Sequence, residues 1–133
     1  MNDFDQVYAY VVVYGKGFSA KDLSVAIDLP PSCTGSSGSM VFSRGSEIIY
    51  WDYQTAEFDN QPEFESALLA LCQVFEERTG CLLDFVRQYQ LQVKLVIDIT
   101  VQNNKSASLL LPGRASKLVH ELGASVQFDV HCR

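Results

Sequence analysis

The chain has 133 residues, 47% of them hydrophobic and 20% charged, with a formal net charge of −6. That length favours one domain spanning 1–133, able to bury roughly two-thirds of its unfolded surface without disulfide or metal staples. No apolar run reaches the about 18 residues that a membrane span needs, and the excess of carboxylates repels a nucleic-acid backbone.

In chain order, the opening "MNDFDQ" is acidic and fits neither a signal nor a transit peptide, so a cytoplasmic location is expected. Residues 7 to 14, "VYAYVVVY", are β-branched, aromatic or small, and they predict a strand apolar on both faces and covered on both sides. Ser19 and Asp22 have the spacing of a capping box, with Phe18 stapled onto Leu23, and Pro30 and Pro31 stop the helix that follows. The stretch "LPPSCTGSSGSM" at 29–40 looks at first like a phosphate cradle. A Walker loop, however, ends in Lys-Ser or Lys-Thr before a helix, and a dinucleotide loop needs G-x-G-x-x-G between strand and helix. Neither is present, so 29–45 reads as a connector, long enough to serve as a lid.

"SEIIYWDY" at 46–53 predicts a second strand. Asn60 and Glu63 then cap the longest helix, whose Phe64, Leu68, Leu71 and Phe75 share one face, with Gly80 expected as its left-handed end. "CLLDFVRQY" resumes as a shorter helix. Leu91, Val93, Leu95, Ile97, Ile99 and Val101 alternate with mostly polar residues, the pattern of a half-buried strand. "QNNKS" is turn chemistry, and "ASLLL" at 107–111 is expected to return as a hairpin partner. Ala115, Leu118, Val119 and Leu122 mark a third main helix closed by Gly123. The last strand is expected to point Val126, Phe128 and Val130 inward and Gln127, Asp129 and His131 outward. The order β-α-β-α-(α)-β-β-α-β predicts an α+β fold: a mixed sheet of about five strands with helices packed on it, of ferredoxin-like flavour.

Four cysteines stand at 33, 72, 81 and 132 without a C-x-x-C pair. Reduced, mostly packed thiols are expected. The two histidines, His120 and His131, form no nucleophile pair, because His131 and Cys132 are strand neighbours that point oppositely. Cys33, His131 and Cys132 lack zinc-ligand spacing. No enzyme, metal or cofactor chemistry is therefore expected.

The charge distribution is more informative. Between Arg44 and Arg78 there are eight carboxylates (Glu47, Asp52, Glu57, Asp59, Glu63, Glu65, Glu76 and Glu77) and no Lys or Arg. A segment of that kind is either a solvated face or a patch that steers a basic partner.

"YGKGFSAKDLSVAIDLPPSCTGSSGS" followed by "YWDYQT" resembles a bacterial family of small domains of unknown function, numbered 4279. The positions that carry the resemblance are Gly17, Leu29, Pro31, Gly38 and Trp51, and the closing "LGASVQFDV" fits as well. The resemblance brings no catalytic residues to carry over. It implies a role among proteins encoded beside bacterial toxins, as immunity proteins. The expected function is thus a small immunity protein that neutralises a basic toxin domain through Trp51, Asp52, Tyr53, Glu57, Asp59, Glu63 and Glu65. The alternative is a small-ligand or regulatory domain with 29–45 as its lid over Trp51.

Overall fold

The computed structural model describes residues 6–36, 48–101 and 109–132. In chain order the elements are β1 (Gln6–Gly15), α1 (Ala20–Ile27), β2 (Cys33–Ser36), β3 (Ile49–Gln54), α2 (Gln61–Glu76), α3 (Thr79–Tyr89), β4 (Gln92–Val101), α4 (Gly113–Leu122) and β5 (Ser125–Cys132). The five strands form one sheet in the order β2-β3-β1-β4-β5. β1 is antiparallel to both β3 and β4, and β2 is antiparallel to β3. β5 lies parallel to β4, a pairing that needs a crossover, and α4 supplies it. The fold is α+β with a mixed sheet, as the element order predicts.

One face of the sheet carries the helices. Val7, Ala9, Val11 and Val13 of β1, Val93, Leu95, Ile97 and Ile99 of β4, and Trp51 of β3 join the buried stripes of all four helices in one core cluster. The stripes follow from sequence period: Phe64, Leu68, Leu71 and Phe75 of α2 are all buried. Ser19 caps α1 by accepting the Asp22 N–H at 3.3 Å, and Asn60 caps α2 by accepting the Glu63 N–H at 2.9 Å. Phe75 receives Trp51 and Tyr53 edge-on, with centroids 6.3 and 6.0 Å away. Asp28, with φ 54°, ends α1 in a left-handed cap ahead of the two prolines.

Five expectations are corrected. The fifth strand is β2, inside the segment read as a connector. It is polar and four residues long, and only its pairing with β3 defines it. Leu109–Leu111 do not form a strand; Leu109 and Leu111 pack against the core while Leu110 is exposed. "QNNKS" and Ala107–Ser108 lie outside the described residues. Gly80 is inside the first turn of α3, whereas α2 closes at Glu77 with ordinary right-handed geometry and Thr79 Oγ1 donating to the Phe75 carbonyl. Finally, Phe128 and Val130 are in register with Ile97 and Ile99 on the helical side, but at the sheet's edge they remain 50% and 57% exposed. Alternation fixes which face a side chain takes, not whether anything covers it. Of the cysteines, all free, only Cys72 is packed; Cys33, Cys81 and Cys132 are exposed.

Arg78 ties the helical layer together. Its guanidinium donates to the Ile27 and Asp28 carbonyls at the end of α1, at 2.9 and 3.2 Å, and to the Val74 carbonyl of α2 at 2.9 Å. These are acceptors that a helix terminus otherwise leaves open. Arg78→Ala should lower stability by about 2–3 kcal/mol, given three charge-assisted bonds lost at once. Arg78→Lys should recover only part of it, because one ammonium cannot span two helix ends. Urea unfolding midpoints measure both.

Candidate functional site

The second face of the sheet carries no helix among the described residues. Paired positions across a sheet point the same way, so the register lays this face out in rows. Tyr14 stands beside Tyr50 and Gln92; Val12 beside Asp52 and Lys94; Tyr10 beside Gln54 and Val96; Tyr8 beside Asp98. β5 adds Gln127, Asp129 and His131 next to Val96, Asp98 and Thr100. The two-sided apolarity of β1 thus has a different meaning from the one expected. Val7, Ala9, Val11 and Val13 enter the core, while Tyr8, Tyr10 and Tyr14 remain half-buried on the other face, around a buried Val12, where their hydroxyls can meet water.

Polar contacts knit this face together. Tyr8 and Tyr10 stack with centroids 5.8 Å apart and planes 22° apart. The Tyr8 hydroxyl donates to Asp98 Oδ2 at 3.4 Å, and His131 Nε2 lies 3.3 Å from Asp98 Oδ1. Lys94 Nζ donates to Gln127 Oε1 at 2.9 Å and stands 5.0 Å from the Tyr14 ring centroid. Gln127 in turn donates to Asp129 at 2.9 Å. Gly35 of β2 leaves room for the Tyr50 ring, which a Cβ at that position would overlap.

Electrostatics single out the tyrosine pair. Burial raises the Tyr10 phenol above its ordinary value, and the fields of Asp129, Asp98 and Asp52 push it further. The Tyr8 phenol is raised by burial, then by Asp98 and Tyr10, with a further push from Glu57. Of these carboxylates Asp98 touches the pair directly, through the Tyr8 hydroxyl, while Asp52 and Asp129 stand on the same sheet face. Burial also raises the Asp52 carboxyl, opposed by hydrogen bonds from Gln54 and the Cys33 backbone; its residue is only 7% exposed.

The seven residues singled out from sequence divide between regions. Trp51 is fully buried on the helical side, its indole N–H donating to Ser24 Oγ at 2.8 Å. Its ring is thus part of the core and not of the surface, and most of the 29–45 segment expected as its lid lies outside the described residues. Tyr53 faces the same side, against Phe75. Asp52, between them in sequence, is on the open face. Glu57, Asp59 and Glu63 come together with Gln6 and Phe58 around an open groove of about 420 Å³. Glu65 follows on α2 and accepts from Gln61 at 2.7 Å. The groove and the open face adjoin, since Gln6 belongs to both and Glu57 acts on Tyr8.

Sequence reasoning missed Tyr8, Tyr10, Asp98 and Asp129 as site residues. The signal was the placement of tyrosine at alternate positions of a strand whose other positions are small or β-branched. Cys33 and His131 occupy the two edge strands of the sheet, about 19 Å apart across four strand spacings. Among the described residues no group of three or more His, Cys, Asp or Glu is placed to hold a metal ion. No described helix is long and apolar enough to cross a membrane.

The family model for a domain of unknown function, DUF4279, matches residues 5–133. This chain belongs to the DUF4279 family. No curated protein and no solved structure matches it. The residues that carried the resemblance have structural roles in this DUF4279 domain. Gly17 adopts φ 72°, which favours glycine. Leu29 and Trp51 are core, and Pro31 is exposed just beyond α1. Gly38 and most of the serine-rich loop lie outside the described residues.

Asp52 gives a test with a defined sign. A carboxyl raised by burial favours its protonated form in the fold, so its contribution to stability is greatest below the unfolded value and is lost as pH rises through the folded one. Asp52→Asn should therefore stabilise the domain at neutral pH by about 0.5 kcal/mol. That gain should vanish in acid, as thermal unfolding at the two pH values measures.

Proposed function

We propose that this DUF4279 domain is a non-catalytic, cytoplasmic binding protein that neutralises a basic partner, as an immunity protein does a toxin domain. One observation carries the reading: Asp52, Asp98 and Asp129, from β3, β4 and β5, share the sheet face of the stacked, half-buried Tyr8–Tyr10 pair, and Glu57 lines the groove beside it. The acidic groove of Glu57, Asp59 and Glu63 extends that field at one border. Toxins that cut nucleic acid carry cationic active sites to hold phosphate. A surface that presents carboxylates competes for those cations directly, and close interfacial charge pairs couple by about 1.5–7 kcal/mol. Tyrosine is well suited to the centre of such an interface, because it buries a large ring with little loss of conformational freedom and retains a polar tip.

The neighbouring gene product provides the test. Expressed alone it should kill, and co-expression of this chain should rescue. Association should slow steeply as NaCl rises beyond the range where surface charges are unscreened. The triple variant Glu57→Lys, Asp59→Lys, Glu63→Lys should slow association about tenfold while leaving the fold intact, since steering acts on the on-rate. Failure to rescue, or an association rate indifferent to salt, would count against the proposal.

A further inference from the structure

We propose that the Tyr8–Tyr10 pair, flanked by Asp52, Asp98 and Asp129, is a receptor for an arginine side chain of a protein partner. The inference deepens the reading above and rests on it for the existence of such a partner.

Charge alone does not distinguish arginine from lysine, but geometry does. A guanidinium presents a flat, weakly hydrated face that stacks on aromatic rings, and an edge of N–H groups that pairs with carboxylates. An ammonium offers a compact, strongly hydrated point charge. The open face supplies both halves of the guanidinium's requirement. The rings of Tyr8 and Tyr10 stack on one another, with centroids 5.8 Å and planes 22° apart, and both remain half-buried, which leaves the outer side of the stack for a planar cation. The accessible carboxylates approach from one flank, Asp98 from β4 and Asp129 from β5, while Asp52 of β3, only 7% exposed and one row away, adds its charge from the other side.

The site also has unspent charge. Lys94 is engaged with Gln127 and the Tyr14 ring, and His131 with Asp98. Asp52 and Asp129 accept from Gln54 and Gln127, both neutral amides. Among the described residues neither carboxylate has a cationic partner. The Lys94–Tyr14 contact shows that a tyrosine of this sheet face takes a cation, there a point-charge ammonium without a paired carboxylate, one row from the Tyr8–Tyr10 pair.

Oligo-arginine and oligo-lysine peptides of equal length, titrated calorimetrically into the full chain at low salt, test this directly. Oligo-arginine should bind about tenfold more tightly, the size of one desolvated cation–π contact. The double variant Tyr8→Leu, Tyr10→Leu should reduce the arginine affinity to the lysine value. Tyr10→Phe, which retains the ring, should preserve the preference and guards against misfolding as the cause of any loss. Tyr8 and Tyr10 ring-proton resonances should shift with oligo-arginine far more than with oligo-lysine. Equal affinity for the two peptides, or an arginine preference that survives the double leucine variant, would overturn the receptor. If toxin neutralisation persists when the arginine preference is absent, the receptor fails alone. If the preference is present but no toxin is bound, the receptor holds and the broader functional reading fails.

Discussion

The two-residue period of the central strand sorts everything else in this molecule. Val7, Ala9, Val11 and Val13 are at most 3% exposed beneath the helices, and full burial of each valine contributes about 1.5–3 kcal/mol. The intervening tyrosines consequently have no choice but the opposite face. A slip of one residue would drive three phenols under the helical layer and expose the valines, so the core fixes the register and the register builds the site. β1 pairs on both sides, and it therefore imposes this sorting on β3 and β4 as well.

The site is arranged at some expense to stability. Asp52 is almost sealed from solvent yet is held by neutral hydrogen-bond donors, and Asp129 is satisfied in the same way. A sheet built only for stability would place a threonine or another tyrosine there, with no charge to desolvate. Two carboxylates held by neutral donors beside a tyrosine stack, with Lys94 on the same face, are less favourable to the isolated fold than uncharged side chains would be. The helical layer, by contrast, is heavily tied. Arg78 binds two helix ends, and the Trp51 indole N–H finds Ser24.

Elements with a strong period were legible from sequence. The buried stripe of α2, the alternation of β4, the caps at Ser19 and Asn60, and the left-handed close of α4 at Gly123 all appear where side-chain spacing puts them. What escaped was set by tertiary context. β2 has no alternation because an edge strand of Cys, Thr, Gly and Ser is held by its backbone. Phe128 looks like core because its strand is periodic, and only the extent of the helical layer decides otherwise. The site divides in the same way. Glu57, Asp59 and Glu63 are close in sequence and could be found together, whereas Tyr8 and Asp98 are 90 residues apart and meet only through strand pairing. Trp51 and Asp52 show the hazard of reading neighbours as a patch, since adjacent strand residues take opposite faces.

The placement of the single tryptophan has an experimental consequence. Trp51 is sealed against Phe75 and Ser24, while Tyr8, Tyr10, Tyr14 and Tyr50 occupy the far side of the sheet. Indole emission in this molecule is an intrinsic gauge of whether the interior is assembled, shielded by the sheet from whatever settles on the other surface. Phenol absorbance reports chiefly from that surface, provided the indole is excited beyond the phenol band. The two chromophores thus give separate optical channels for integrity and occupancy, with no label attached.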